Sequence, residues 1–198
     1  MGPYIMAVLG AYVLGSIPFG IVVAKIFGTQ DPRTLGSQNI GFTNVLRVNG
    51  KKAGFLTLLG DMGKGLLATG LAQVFGLPWV WVLIVGIAVL LGHIFSVFLK
   101  FQGGKGVATA LGSVLAIDLN LGLCLLGIWI GTVILFQHSS SGALASFGIF
   151  PVIVIFGEKN LEFVVYALCV TGLIFYRHME NIIRLINGTE SKITWFNS

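Results

Sequence analysis

Long apolar runs separated by short polar segments constrain this chain more than any other feature of its sequence. Residues 79–99 contain no Asp, Glu, Lys or Arg, and residues 4–27 contain only Lys25. A helix needs about 20 predominantly apolar residues to cross a bilayer, so both runs predict spanning helices. Only 10% of the residues are charged, whereas a soluble domain carries about 25%. The chain is therefore predicted to be an all-α integral membrane protein.

The apolar runs predict seven transmembrane helices, at residues 4–27, 53–76, 79–99, 106–117, 121–136, 143–156 and 161–176. The first three are long enough for a full crossing, whereas the last four are shorter than the usual length of about 20 residues. Five or six crossings are therefore alternatives. Since no linker divides the chain, residues 1–198 are predicted to form a single transmembrane domain.

The positions of the basic residues predict the orientation in the membrane. Short loops rich in Lys and Arg stay on the cytoplasmic side. With seven segments and the N-terminus outside, all 12 Lys and Arg residues fall in inner segments except Lys64, in the second run, and Lys159, in an outer loop. We therefore expect the N-terminus outside and the C-terminus in the cytoplasm. This bias accounts for the net charge of +5, so no nucleic-acid partner is predicted.

The first inner segment combines glycines, small polar side chains and an arginine. It reads Gly36-Ser37-Gln38-Asn39-Ile40-Gly41-Phe42-Thr43-Asn44-Val45-Leu46-Arg47. Glycines let backbone N–H groups approach an anion, and arginine offers a charged fork to phosphate. One interpretation is a phosphate site; the other is a capped turn that opens a helix, with Ser37 or Asn39 as the N-cap.

A second glycine segment, Gln102-Gly103-Gly104-Lys105-Gly106, precedes a predicted helix. Backbone N–H groups at the start of a helix and a nearby ammonium group can bind one anion together. The alternative is an ordinary cytoplasmic lysine in a flexible loop. We favour the anion site because it recurs on the same predicted face as the first segment.

The apolar runs include the ionisable residues Asp61, Lys64 and His93. Asp61 and Lys64 lie three residues apart, so a helix would place them on one face, where they can neutralise each other. A structural ion pair is favoured there over a catalytic role. His93 lies near the inner end of its run and is expected to be a hydrogen-bonded structural histidine.

Two later segments add polar groups on the predicted inner face. The segment from His138 to Gly142 is predicted to be a loop that contains Ser139, Ser140 and Ser141. In the tail, helical spacing would bring Arg177, His178, Asn181 and Arg184 together in a polar stripe. That stripe is either a further anion surface or the polar side of an amphipathic helix at the lipid headgroups.

Several kinds of chemistry are not indicated by the sequence. Its histidines and cysteines lack zinc-ligand spacing, and no Walker A motif is present, so neither a metal nor a nucleotide cofactor is predicted. The residues five positions after His93, His138 and His178 are not Asp, which excludes the His-x-x-x-x-Asp type of acyltransferase. Nothing indicates an obligatory protein partner.

Taken together, the segments resemble the bacterial acyl-phosphate:glycerol-3-phosphate acyltransferase family. The motifs that carry the resemblance are Gly15-Ser16-Ile17-Pro18, residues 36–47, Asp61-x-x-Lys64-Gly65, Gly92-His93, Gly103-Gly104-Lys105-Gly106-Val107-Ala108-Thr109 and Arg177-His178-x-x-Asn181-Ile182-x-Arg184. The resemblance implies a seven-helix enzyme of the bacterial inner membrane with its active site facing the cytoplasm. Its implied substrates are acyl phosphate and glycerol 3-phosphate, and its products are lysophosphatidic acid and phosphate.

The resemblance also implies which residues act. The catalytic set would be His178, Ser140, Lys105 and Asn181. The phosphate ligands would be Ser37, Asn39, Thr43, Asn44, Arg47, Gly103, Gly104, Lys105, Arg177 and Arg184. The general base is either His178 or a phosphate of the substrate. A small organophosphate transporter is the alternative function.

The chain departs from the family pattern at three positions. Gln38 stands where the family usually has glycine, and Phe42 where it has a small residue. His138 and the serines after it replace a pattern in which tyrosine precedes the functional serine. Ser140 is favoured for that role, with Ser139 and Ser141 as alternatives.

Overall fold

The computed structural model describes residues 1–157 and 159–193, and every regular element within these ranges is helical. The chain divides into two compact units, Met1–Leu119 and Asn120–Ser198. The first contains α1 (Gly2–Ser16), α2 (Phe19–Ile26), α3 (Phe42–Val74), α4 (Trp79–Ile94), a short 3-10 turn (Val97–Leu99) and α5 (Val107–Ile117). The second is built from α6 (Leu119–Phe136), α7 (Ser139–Phe156), α8 (Leu161–Arg177) and α9 (Met179–Ile186).

The helices confirm the prediction of an all-α membrane protein. Three helical segments are long and apolar enough to cross a bilayer, namely Trp79–Leu99, Leu119–Phe136 and Ser139–Phe156. The number rises to five if two bent pairs each form one span. These pairs are α1 with α2, bent by 46°, and α8 with α9, bent by 62°. Helix α5 is apolar but shorter than a full crossing.

In the first unit, two predicted segments have different boundaries in the structure. The run 4–27 is not one helix, because Pro18 has no N–H to donate and pushes the residue before it out of the helical conformation. Accordingly, Ile17 is extended, with φ −61° and ψ 116°. The second helix begins at Phe42 rather than near residue 53, and it is interrupted at Gly50, where φ is 86°. Its N-cap is Gly41, without a side-chain cap, so neither Ser37 nor Asn39 caps it.

In the second unit, the structure corrects the predicted serine loop and the predicted polar stripe. Helix α7 begins at Ser139, so all three serines lie in its first turn rather than in a loop. Small hydroxyl residues are favoured at helix starts because they can satisfy free N–H groups. The tail is also not one helix, since α8 ends at Arg177 and α9 follows after a 62° bend.

Close glycine contacts join the helices of the first unit in two pairs. A side chain at Gly65 of α3 would collide with the Thr109 carbonyl of α5, and one at Gly112 of α5 would collide with the Met62 carbonyl of α3. Gly15 and Gly92 make the same kind of reciprocal contact between α1 and α4. Helices in lipid associate mainly through such close packing of small residues. These contacts fix α3 against α5 and α1 against α4.

Aromatic side chains form the interior of the second unit between α7 and α8. Phe150 packs edge to face against Phe147, Phe163 and Tyr166, at centroid distances of 6.1 to 6.3 Å. Thr171 of α8 donates a hydrogen bond to the Phe147 carbonyl at 2.7 Å. This packing fixes the two helices whose ends carry Ser140 and His178.

We expect Gly65→Ala to lower the thermal stability of the detergent-solubilised protein. The added methyl group would press on the Thr109 carbonyl, and overpacking of this kind costs about 1 to 3 kcal/mol. Gly63→Ala is the matched control, because a methyl group at Gly63 would meet no atom of the described residues within 4 Å apart from its own helix backbone and chain neighbours. The control should be neutral or stabilising, since alanine favours helix by about 1 kcal/mol over glycine. Equal melting temperatures for the two variants would contradict this account of the α3 and α5 contact.

Candidate active site

The first glycine segment forms a loop that is organised by the buried side chain of Asn44. The Asn44 amide nitrogen donates to the carbonyls of Pro32, Leu35 and Asn39 at 2.8 to 3.1 Å. Its Oδ1 accepts a hydrogen bond from the Ser37 backbone N–H at 2.9 Å. The Asn44 amide is therefore committed to the loop backbone, so its structural role is to position Ser37 and Asn39.

The same loop exposes several of the predicted phosphate ligands. Ser37 and Arg47 are exposed, while Asn39 and Thr43 are half-buried. Arg47 makes no ion pair with any residue in the described part of the chain, so its guanidinium can receive an anion from solution. Gln38 has φ 59°, in the left-handed region that favours glycine. The chain thus keeps the glycine-like turn although glycine itself is absent.

The second glycine segment is attached to the C-terminal end of α4. The Gly103 N–H donates to the Ile94 carbonyl at 2.9 Å, and the Gly104 N–H donates to the His93 carbonyl at 3.0 Å. Both glycines therefore satisfy carbonyl groups at the end of a helix, where no intrahelical donor is available. Gly106, with φ 85°, turns the chain into α5 and leaves Lys105 half-buried just before the helix.

A buried polar network lies in the first unit around Lys64. Its ammonium nitrogen is 2.9 Å from Asp61 Oδ1, 3.0 Å from the Ile17 carbonyl and 2.7 Å from His93 Nδ1. The side chains of Asp61, Lys64 and His93 are each at most 4% exposed. The predicted contact between Asp61 and Lys64 is therefore present, and the structure adds the Ile17 carbonyl, which is left without a helical donor at the break between α1 and α2.

In the second unit, three predicted site residues converge on a carboxylate that sequence reasoning missed. Ser140 Oγ and Asn181 Nδ2 donate to Glu190 Oε1 at 2.7 and 2.6 Å, and Arg184 Nε donates to Oε2 at 2.7 Å. Ser140 is thus the serine that is grouped with Asn181 and Arg184. One signal could have revealed Glu190: it is the first carboxylate after the basic tail, just beyond the Asn187-Gly188 turn.

Hydrogen bonds set the charge of Glu190. Burial opposes its ionisation, but donation from Ser140, Arg184 and Asn181, with the charge of Arg184, holds the pKa of Glu190 below its usual range. The carboxylate is therefore ionised at neutral pH and acts as an acceptor for all three donors.

His178, at the junction of α8 and α9, is buried, and its Nδ1 lies 2.7 Å from the Ile174 carbonyl. A carbonyl can only accept, so Nδ1 carries the proton. In the neutral ring Nε2 then holds the lone pair, which is the form required of a base. Arg177 is the last residue of α8, whereas Asn181 and Arg184 lie on α9. The Arg177 side chain is half-buried.

The predicted site residues thus form local groups within each unit. In the first unit, Asn44 joins Ser37 and Asn39, and the glycine segment presents Lys105 beside the end of α4. In the second, Glu190 joins Ser140, Asn181 and Arg184. No group of three or more His, Cys, Asp or Glu side chains suited to a metal ion occurs among the residues that the structure describes.

These observations define an α-helical integral membrane protein whose polar clusters combine cations, hydroxyl groups and amides with the carboxylates of Asp61 and Glu190. A family model described as glycerol-3-phosphate acyltransferase matches residues 5–188. The chain belongs to this family and is an acyltransferase, which confirms the resemblance seen in the sequence.

Individual relatives agree with this assignment. A glycerol-3-phosphate acyltransferase from Bordetella petrii is 48% identical, over 92% of this chain and 90% of its own length. One from Coxiella burnetii is 41% identical, over 96% of this chain and 98% of its own length. The crystal structure of PlsY (YgiH), an integral membrane glycerol 3-phosphate acyltransferase, in its glycerol 3-phosphate form has a TM-score of 0.91 and 37% identity. That match covers 96% of this chain and 95% of the other.

We expect Glu190→Gln to destabilise the protein at neutral pH, because it weakens hydrogen bonds to a charged acceptor. The loss should be about 1 to 3 kcal/mol, measured by thermal unfolding in detergent. A depressed pKa means that the carboxylate stabilises the fold above its unfolded pKa and that this stabilisation is lost as pH falls through the folded pKa. The difference between wild type and variant should therefore shrink as pH falls below about 4.

Glu180→Gln is the matched control for this prediction. Glu180 also faces Arg184, at 3.8 Å, but its side chain is 87% exposed. Exposed ion pairs contribute little, so this variant should stay within about 0.5 kcal/mol of wild type. A control as damaging as Glu190→Gln would show that the Glu190 cluster has no special importance.

Proposed function

We propose that this chain transfers a fatty acyl group from acyl phosphate to the 1-hydroxyl of glycerol 3-phosphate. The products are lysophosphatidic acid and inorganic phosphate, and the reaction begins phospholipid synthesis. One observation carries the proposal: the fold matches PlsY over 96% of this chain in both a glycerol 3-phosphate form and a lysophosphatidic acid form. These two molecules are an acceptor and a product of the proposed reaction.

The transfer is a single displacement at the acyl carbonyl. The 1-hydroxyl oxygen of glycerol 3-phosphate forms a bond to the carbonyl carbon, and the bond from that carbon to the phosphate oxygen breaks. Phosphate leaves with the bonding electrons, and the hydroxyl proton passes to a base. Acyl phosphate is already activated, so neither an acyl-enzyme nor a cofactor is required, and positioning supplies most of the rate enhancement.

Residues of the first unit are proposed to bind phosphate. Lys105 and Arg47 supply positive charge, which stabilises phosphate oxygens in the transition state. Ser37, Asn39 and Thr43 supply hydrogen bonds, while Asn44, Gly103 and Gly104 hold the two loops. The exposure of Arg47 and the hydrogen bonds of Asn44 support these roles.

Residues of the second unit are proposed to handle the acceptor hydroxyl and further phosphate charge. His178 accepts the hydroxyl proton at Nε2, since its Nδ1 is protonated toward Ile174. Ser140 and Asn181 orient substrate oxygens, and Arg177 and Arg184 add positive charge. The shared contact of Ser140, Asn181 and Arg184 with Glu190 supports their acting as one group.

We also propose that the chain is one acyltransferase domain of the bacterial inner membrane, with its active site facing the cytoplasm. The family match from residue 5 to residue 188 includes parts of both units and supports the single domain. Counting α3 and α5 with the five possible apolar spans gives seven membrane segments. The positions of the basic residues support an outer N-terminus and a cytoplasmic C-terminus.

We expect purified protein in detergent with a chelator to convert acyl phosphate and glycerol 3-phosphate into lysophosphatidic acid and inorganic phosphate. Acyl-CoA should not replace acyl phosphate. Products can be separated by thin-layer chromatography and phosphate measured colorimetrically. Activity that disappears with the chelator, or equal activity with acyl-CoA, would contradict the proposed reaction. Passage of glycerol 3-phosphate across proteoliposomes without turnover would instead favour the transporter.

The matched variants for this assay are Lys105→Gln and Lys100→Gln, which neutralise two lysines five positions apart. Loss of a charged phosphate ligand should cost on the order of 2 to 4 kcal/mol, or about 30- to 1000-fold in kcat/KM, for Lys105→Gln. Lys100 is exposed, so its variant should retain most activity. Small and equal losses of kcat/KM in both variants would show that Lys105 contributes to membrane orientation and does not bind phosphate.

Orientation can be tested with single cysteines introduced after Cys124 and Cys169 are replaced. Cysteines at Gln102 and Asn187 should resist a membrane-impermeant thiol reagent in intact cells and react after lysis. A cysteine at Lys159 should react in intact cells. All three positions are exposed in the structure. The opposite labelling pattern would reverse the proposed orientation.

A further inference from the structure

His93 contacts both the buried Lys64 network and the glycine segment that carries Lys105. Its ring Nδ1 lies 2.7 Å from Lys64 Nζ, and its backbone carbonyl accepts the Gly104 N–H at 3.0 Å. The opposite edge of the ring faces the loop, because a side chain at Gly104 would collide with His93 Nε2. His93 therefore touches Gly104 through both its backbone and its ring.

Lys64 determines how the His93 ring is held. An ammonium group has three protons and no lone pair, so it can only donate. Lys64 directs these protons at Asp61, the Ile17 carbonyl and His93 Nδ1. His93 Nδ1 also lies 3.5 Å from Asp61 Oδ1, but its 2.7 Å contact with the ammonium is shorter and requires an acceptor. In the neutral ring the proton therefore lies on Nε2, the edge next to Gly104. The buried charge thus sets both the orientation and the tautomer of the ring.

We propose that His93 is a positioning residue for the phosphate loop formed by residues 103–106. The Lys64 ammonium fixes the ring, the ring fixes Gly104, and Lys105 is thereby held where a substrate phosphate binds. This inference rests on the proposed function. It assigns the buried Asp61, Lys64 and His93 network a role in substrate positioning beyond charge neutralisation. Small displacements of such groups are costly, since an error of about 1 Å can lower a rate by about 100-fold.

A double-mutant cycle between His93→Asn and Gly104→Ala tests the contact. The asparagine can keep an acceptor near the position of Nδ1 for Lys64 but is too short to reach Gly104. The alanine methyl group presses on the ring from the other side. Each single variant should lower kcat/KM at least about 10-fold with a folded protein, and the double variant should lose no more than the worse single one. Lys105→Gln should likewise be non-additive with His93→Asn.

Ser113→Ala is the control, because Ser113 is a buried hydroxyl whose Oγ donates to the Thr109 carbonyl at 3.2 Å within α5. It should leave kcat/KM unchanged. Additive losses in the cycle, or a folded His93→Asn variant with wild-type kinetics, would overturn the proposal. If His93→Asn does not fold, a folded Gly104→Ala variant with wild-type kcat/KM overturns it equally.

Two readouts do not depend on turnover. Nitrogen-15 spectra of labelled histidine should show His93 protonated at Nε2 and His178 protonated at Nδ1; His93 protonated at Nδ1 would overturn the proposal. Thermal stabilisation by inorganic phosphate should decrease in both His93→Asn and Gly104→Ala. If wild-type protein binds phosphate but does not turn over acyl phosphate, the proposed function fails while these two measurements still decide the role of His93.

Discussion

The first unit depends on keeping one ammonium group, that of Lys64, inside an apolar environment. An unpaired charge there would cost many kcal/mol, so every proton of the ammonium needs an acceptor. The three acceptors come from the end of α1, from α3 itself and from α4. Satisfying one charge therefore fixes the break at Pro18, helix α3 and the C-terminal end of α4 relative to one another. The break between α1 and α2 is useful for this reason, because a continuous helix would not offer the Ile17 carbonyl.

Close glycine packing makes this network geometrically possible. Lipid tails are as apolar as leucine side chains, so helices in a membrane gain little from burying apolar surface against each other. Gly65 and Gly112 instead let α3 and α5 approach until backbone meets backbone. Because Lys64 is the neighbour of Gly65 in the chain, the same contact that joins the helices also fixes the position of the ammonium. The helix packing and the position of the buried charge therefore depend on the same contact in this unit.

In the second unit a negative charge, the Glu190 carboxylate, holds separate helices together as the Lys64 ammonium does in the first. Glu190 follows α9 in the chain and accepts hydrogen bonds from the serine at the start of α7 and from the amide and guanidinium of α9. Hydrogen bonds to an ionised acceptor are stronger than those to a neutral one, so a single carboxylate can order three donors. The bend at His178 has a related consequence, since the Ile174 carbonyl fixes the tautomer of the ring and leaves its lone pair on Nε2.

The sequence alone determined the membrane class, the helical architecture and the family. These follow from the length of the apolar runs, the scarcity of charge and the order of the motifs, all of which can be read without knowing any tertiary contact. It also placed Asp61 and Lys64 on one helical face, since that spacing is local. It did not determine that the serines lie inside α7, that the run 4–27 forms two helices, that α3 is interrupted at Gly50, or that Asn44 serves its own loop. Tertiary structure alone decided that Glu190 joins Ser140 and Arg184 and that His93 faces both Lys64 and Gly104. Residues so far apart in the chain meet only because buried polar groups must find partners, and which partners they find depends on how the helices pack.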